Sequence, residues 1–167
     1  MYTHESCEEI TEIAEIAGAI MSIISEFDLS SDVLSTIVAG MRQLAHIDGD
    51  FDPQEEALLN AVVEGLDAQE SLNLDVLTTP ELKENFMKML AMMAVADAKV
   101  VDEEVALMDQ YGVQLGLERT ALSFVEEVAE NMLTLQYTSA ELTVLAPKLA
   151  KTLRLSNDCI ERLVNLP

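Results

Sequence analysis

Two stretches of the chain follow one pattern: Leu44-Ala45-His46-Ile47-Asp48-Gly49-Asp50-Phe51 and, 49 positions later, Met93-Ala94-Val95-Ala96-Asp97-Ala98-Lys99-Val100. Each starts with the apolar end of a helix and continues with an aspartate, a small residue, a polar residue and an apolar residue. A glutamate follows seven positions after the aspartate, at Glu55 and at Glu104. Repetition at a fixed period indicates a supersecondary unit that is used twice. We therefore predict two units of helix, acidic bend and helix, and we name residues 48–52 the first acidic bend and residues 97–101 the second acidic bend.

The hydrophobic pattern of the whole chain predicts an all-α fold. Apolar residues recur three and four positions apart, whereas the sustained period-two alternation that is typical of strands is absent. Helix starts are marked in the sequence at Asp52-Pro53-Gln54-Glu55, Thr79-Pro80-Glu81, Ser139-Ala140-Glu141 and Ser156-Asn157-Asp158. We predict a compact bundle of roughly seven to nine helices, with helices at 8–27, 32–47, 53–66, 80–97, 102–116, 118–134, 139–153 and 157–165 and a short turn from Leu72 to Leu77.

The length of the chain suits one domain with a buried core. The sequence has 167 residues, of which 50% are hydrophobic, and domains of this size bury roughly 70% of the surface of the unfolded chain. We predict a single domain over residues 1–167, with the repeated units in about 33–134, an extra N-terminal helix at 8–27 and C-terminal helices within 139–165. The segment from Phe86 to Ala96 is apolar on nearly all sides, so it is expected to be the buried central helix rather than a methionine-lined partner groove.

The acidic balance of the chain argues against two classes of partner. With 31 acidic and 9 basic residues, the formal net charge is -22, which repels nucleic-acid phosphates and anionic lipid headgroups. The N-terminus lacks the positive charge of a secretory signal, and the longest apolar run, Met89 to Ala96, is far shorter than the roughly 20 residues of a membrane span. Cys7 and Cys159 have the spacing of neither a disulfide framework nor a zinc site. We therefore expect a cytoplasmic protein without direct membrane insertion.

Charge is distributed unevenly between the two ends of the chain. Residues 1–41 contain eight acids and no lysine or arginine, whereas residues 143–167 contain four bases and two acids. The four bases are Lys148, Lys151, Arg154 and Arg162. We predict that the N-terminal helix packs near the C-terminal helices, either within one molecule or between the two copies of a homodimer.

The acids of the two bends are candidate ligands for a divalent cation such as calcium, magnesium or zinc. Hard cations bind several oxygen ligands that converge from a short loop, and the predicted ligands are Asp48, Asp50, Glu55, Asp97 and Glu104. The first bend is not an EF-hand loop, because Pro53 and Leu59 stand where that motif has a glycine and a bidentate glutamate. The alternative is structural, since Asp52 and Glu55 can cap the next helix and Gly49 can end the previous one. The residues alone leave both interpretations open.

The repeated pattern resembles the TerB-like family, which is named for bacterial tellurite resistance. The resemblance covers about residues 33–134 and includes the helix end Tyr111-Gly112-Val113-Gln114-Leu115-Gly116-Leu117. It implies an all-helical fold of two related halves, a cytoplasmic location, no established enzymatic activity, and a link to stress and tellurite-resistance operons and to membrane-bound partners. It also implies a divalent-cation role for the motif residues, which fall on Asp48, Gly49 and Glu55 and then on Asp97 and Glu104. The second copy departs from the family pattern at Ala98 and Val101.

Signals of catalysis are few in this sequence. His4 and His46 are the only histidines, and neither belongs to a recognisable nucleophile or di-iron pattern. Glycine-rich phosphate loops are absent. We therefore predict a non-enzymatic interaction module with protein partners, among them membrane-associated stress proteins, and with weak divalent-cation binding at the acidic bends. A carboxylate-only metal-dependent enzyme or metal store, and a structural homo-oligomer, are the alternatives.

Overall fold

Helices form the regular secondary structure of the described part of the chain, as the hydrophobic pattern predicts. The computed structural model describes Gly18 and residues 30–47, 49, 53–66, 70–96 and 99–165, with the backbone alone at 54, 55, 65 and 66. These ranges contain α1 (Ser31–His46), α2 (Pro53–Leu66), the 3-10 helix η1 (Leu74–Val76), α3 (Pro80–Val95), α4 (Asp102–Gln114), α5 (Ala121–Gln136), α6 (Ser139–Thr152) and α7 (Asn157–Val164). The predicted all-α bundle is confirmed, with seven α-helices in the described ranges. The predicted helix at 8–27 lies, apart from Gly18, outside them.

Short-range capping accounts for where most of these helices begin. A serine or threonine precedes five of them, and its side-chain oxygen accepts a hydrogen bond from a backbone N–H of the first turn. The predicted starts after Thr79 and Ser156 are confirmed. Helix α5 begins at Ala121 rather than at the predicted residue 118, because Thr120 has an extended backbone and its hydroxyl accepts from the Ser123 N–H.

Helix α3 is the buried centre of the bundle, as its apolar sequence predicts. It packs against α1, α4 and α5, and every residue from Phe86 to Ala96 except Lys88 is buried. The methionines of this helix are buried and therefore belong to the core. Burial of each such large apolar side chain stabilises the fold by about 1.5–3 kcal/mol. None of the described helices, α3 included, is long and apolar enough to cross a membrane.

A network of ion pairs joins α3 to α5 at the edge of this core. Glu127 of α5 binds Lys88 Nζ at 3.0 Å and Arg119 Nη2 at 2.6 Å. Burial by itself would raise the pKa of Glu127, but the hydrogen bonds from Arg119 and Lys88 outweigh it and lower the pKa. The carboxylate is therefore held in its charged form, and Arg119 also lies 4.0 Å above the ring of Phe124.

Helix α1 approaches the central helix closely at Gly40, next to the ring of Phe86. The same ring makes an edge-to-face contact with Tyr111 of α4, with the ring centroids 5.5 Å apart. The Tyr111 hydroxyl donates a hydrogen bond to Gln43 Oε1 of α1, and burial raises the pKa of Tyr111, which keeps it a donor. One aromatic pair thus connects α1, α3 and α4.

Helices α6 and α7 pack against each other and against α5. Arg162 of α7 binds Glu130 of α5, with an Nε–Oε1 distance of 3.1 Å and an Nη2–Oε2 distance of 3.0 Å. Arg154, two residues after the end of α6, pairs with Asp102 of α4. Two of the four C-terminal bases therefore bind acids of the described bundle, while the predicted contact with the N-terminal helix lies outside the described residues.

Candidate functional site

The structure describes only one of the five predicted cation ligands in full. Asp48, Asp50 and Asp97 lie outside the described residues. Glu55 lies in the first turn of α2, where the backbone alone is described. Glu104 lies in the first turn of α4, and its side chain is described. The convergence of these carboxylates on one cation therefore stays a prediction.

The Glu104 carboxylate caps the helix that follows the second acidic bend. Its Oε2 accepts a hydrogen bond from the N–H of the N-cap residue Val101 at 3.0 Å, and only 4% of the residue is exposed. Val101 has no side-chain oxygen, so this contact is the glutamate half of a capping box. It pairs a backbone donor that the start of a helix would otherwise leave unsatisfied. The geometry supports the capping interpretation for Glu104.

The second acidic bend is attached to the end of α6. Its residue Val100 is buried, and the Val100 N–H donates to the carbonyl oxygen of Thr152 at 2.8 Å. Arg154 Nε donates to the Val100 carbonyl oxygen at 3.0 Å, and Arg154 Nη1 lies 2.5 Å from Asp102 Oδ1. Both backbone groups of Val100 are therefore paired with the turn that ends α6.

Arg154 has an uncommon backbone conformation. Its φ of 57° is left-handed, and elsewhere in the described part of the chain only glycines have a positive φ. For a residue with a Cβ this conformation costs about 1–2 kcal/mol. The Leu155 N–H closes the turn by donating to the Ala150 carbonyl oxygen at 2.9 Å. Many α-helices end in this way, with one residue in the left-handed conformation just after the last turn. The sequence analysis counted Arg154 among the C-terminal bases but did not predict its contact with Val100, which is 54 positions away.

The first acidic bend is described at Gly49. Helix α1 ends at His46, and the next residue, Ile47, is 42% exposed. Gly49 has a φ of 76°, and its N–H donates to the His46 carbonyl oxygen at 3.1 Å. The predicted role of Gly49, a positive φ that ends the helix, is confirmed.

The described residues do not by themselves form a metal centre. Within the ranges given above, no three His, Cys, Asp or Glu side chains are grouped so that they could hold a metal ion. Three of the five predicted ligands lie outside those ranges. A site with three or more such ligands at the bends would therefore have to include side chains that lie outside the described part of the chain.

An apolar cavity opens between the end of α3 and helices α5 and α6. Its volume is about 90 Å³, and it is lined by Val95, Ala129, Met132, Leu133, Gln136, Tyr137, Leu149 and Leu153. Leu135, near the end of α5, is 87% exposed, and Tyr137 in the cavity wall is 37% exposed. Exposed apolar surface beside a cavity is typical of contact sites for proteins or small ligands. The sequence did not predict this cavity, which is assembled from three separate helices.

Cys159 is buried in α7 and is not a suitable nucleophile. Its Sγ lies 3.9 Å from Glu130 Oε2. Burial, followed by the negative charges of Glu126 and Glu130, raises the pKa of the thiol to about 11. The thiolate is the reactive form of cysteine, so this thiol is protonated and unreactive at neutral pH.

Comparison with known proteins assigns no family to the chain. No family model matches it, and no curated protein and no solved structure matches it significantly. The TerB-like resemblance therefore stays a prediction. The candidate site is defined by the acidic bends, by Arg154 and by the apolar cavity.

Proposed function

We propose that this protein is a non-enzymatic, cytoplasmic TerB-like protein, an interaction module associated with stress and tellurite resistance that binds divalent cations weakly at its acidic bends. A match between the sequence repeat and the helix ends carries this proposal. Helices α1 and α3 end at His46 and Val95, and helices α2 and α4 begin at Pro53 and Asp102. The two helix ends are 49 positions apart, and so are the two helix starts. This distance is the period of the repeat. Two helix pairs joined at equivalent positions support a duplicated unit with an acidic bend in each copy.

A protein partner suits this molecule better than nucleic acid or a lipid surface. The net charge of -22 repels phosphate groups, whereas the cavity between α3, α5 and α6 offers apolar contact area that includes the partly exposed Tyr137. A complementary partner would bring an apolar anchor surrounded by basic residues, since opposite charges orient an interface. The membrane-associated stress proteins that the resemblance implies are candidates for this partner.

Isothermal titration tests the cation part of the proposal. Calcium, magnesium and zinc are titrated into the wild-type chain and into the double variant Asp48→Asn, Asp97→Asn. We expect at least one ion to bind the wild type with a Kd of about 10⁻⁴–10⁻³ M, the range of weak oxygen-ligand sites, and to bind the variant at least about tenfold more weakly. The exposed Asp75 and Asp158 lie outside the bends, so their double asparagine variant is the matched charge control. Absence of heat in the wild type refutes the cation role.

The alternatives give different results in the same samples. A metal store would bind several ions per chain, and a carboxylate-only enzyme would need a bound metal for turnover. A structural homo-oligomer would increase in mass with concentration. Light scattering at two protein concentrations, with Leu135→Asp as the comparison, separates the homo-oligomer from a monomeric interaction module.

A further inference from the structure

We propose that the cavity between α3, α5 and α6 binds a short, unbranched aliphatic ligand that is uncharged and has one polar end, such as a primary alcohol. Occupancy of the cavity would regulate the contact with a protein partner, because the ligand and an apolar anchor of the partner would compete for the same space. That regulatory part rests on the proposed function, whereas binding of the ligand does not.

The floor of the cavity is closed by side chains that are themselves buried. Four of the residues that line it belong to the core: Val95, Ala129, Leu133 and Leu153. Protein interiors are otherwise packed with few voids larger than a water molecule. A space of about 90 Å³ against four core residues is therefore a pocket that enters the core beside the central helix, and not a shallow depression of the surface.

Rows of side chains on two helices form the walls of this pocket. The wall residues are Ala129, Met132, Leu133 and Gln136 from α5, and Leu149 and Leu153 from the end of α6. Spacings of three and four positions put the members of each row on one face of their helix. Ala129 has the smallest side chain of these residues, so it leaves space that a longer side chain at the same position would fill.

The lining determines the chemical class of the ligand. The residues that line the cavity include no carboxylate and no basic side chain, so a charged ligand would lose its hydration without gaining a partner. The amide of Gln136 and the hydroxyl of Tyr137 belong to exposed residues at the end of α5. An apolar chain therefore fits the interior of the cavity, with the polar end of the ligand at the mouth.

The volume limits the shape of the ligand. An engineered apolar cavity of about 150 Å³ binds benzene, and the volume here, about 90 Å³, is smaller. A chain of methylene groups is narrower than a ring, and its polar end can extend through the mouth into solvent. The volume therefore favours an unbranched chain over an aromatic ring.

Titration of primary alcohols from propanol to octanol into the wild-type chain, without cations or a partner, tests the proposal. Binding is followed by NMR of methyl groups, with Met132 and Leu149 as reporters in the wall and Met41 and Leu58 as reporters elsewhere in the core. We expect saturable shifts at the wall reporters. The affinity should rise about fourfold with each added methylene and level off once the cavity is filled.

A variant that fills the cavity from inside gives the decisive comparison. Ala129→Leu adds an isopropyl group within the pocket and should weaken alcohol binding at least about tenfold. Ala106→Leu is the matched control, because it adds the same group at an exposed position on α4 and should bind as the wild type does. Thermal unfolding shows whether each variant folds, and Leu149→Phe, at a half-buried position of the wall, is the second filling variant.

Four results would overturn the proposal. These are no saturable shift at the wall reporters at about 10 mM alcohol, where a millimolar site is mostly occupied, equal shifts at Met41 and Leu58, unchanged affinity in both filling variants, and tighter binding of cyclohexanol than of hexanol. Failure of the proposed function is recognised separately, as the absence of heat in the cation titration, which contains no alcohol.

Discussion

Substitution of Gly40 by alanine tests the packing of α1 on the central helix. A Cβ at this position would lie 2.7 Å from both Cε2 and Cζ of Phe86 and 3.4 Å from Leu90 Cδ2. The Phe86 ring is fully buried and also packs edge to face on Tyr111, so it has little room to move. The new methyl group must therefore displace either the ring or α1.

Two opposing terms set the magnitude. Alanine is favoured over glycine in a helix by about 1 kcal/mol, whereas overpacking of a tight core costs about 1–3 kcal/mol. We expect Gly40→Ala to lower the free energy of unfolding by up to about 2 kcal/mol. The matched control is Gly112→Ala in α4, where the Cβ would lie 3.9 Å from its nearest neighbours. There the helical preference acts without a clash, and the variant should gain up to about 1 kcal/mol.

Urea unfolding followed by circular dichroism gives the free energies of both variants and of a double-mutant cycle. Phe86→Leu removes the ring atoms that the new methyl group would meet. In that background Gly40→Ala should be neutral or stabilising, and such a change from its effect in the wild-type chain is a departure from additivity. The reasoning is refuted if Gly40→Ala stabilises the wild-type chain as much as Gly112→Ala does.

Three further predictions concern single side chains. Glu104→Ala should lower the free energy of unfolding by about 1–3 kcal/mol, because the half-buried Val101 N–H loses its hydrogen bond to a charged acceptor. Glu103→Ala, on the exposed side of the same turn, should have little effect in the same urea assay. The ion pairs with Arg119 and Lys88 lower the pKa of Glu127 in the folded chain. They therefore stabilise the fold at pH values above the usual pKa of a glutamate, and this contribution disappears as the pH falls through the lowered pKa of the folded state. Glu127→Gln should reduce stability at pH 7 and flatten the acid limb of a curve of unfolding midpoint against pH, and an unchanged limb would contradict this. The Cys159 thiol, with a pKa of about 11, should resist alkylation at pH 8 until the chain is unfolded in denaturant, and labelling of the folded protein at both cysteines would contradict its burial.

The positions of the helices could be predicted from the sequence, because the forces that set them act over a few residues. Helical spacing of apolar residues identified the seven described helices, and side-chain caps at Thr79 and Ser156 marked two of their starts. The error at the start of α5 has the same local origin, since the prediction passed over Thr120, whose hydroxyl makes it the N-cap. The burial of α3 was also readable, because a helix that is apolar on nearly all sides must be surrounded by others.

The chemistry of the second acidic bend depended on contacts between distant parts of the chain. The sequence by itself determined the repeated pattern, the excess of acids and the capping potential of residues such as Glu104. Only the tertiary structure placed Arg154 against Val100 and Asp102, and only it assembled the cavity between α3, α5 and α6. Periodicity and capping are properties of neighbouring residues, whereas an ion pair or a cavity exists only after whole helices have packed, and that packing follows from the shapes of many side chains together.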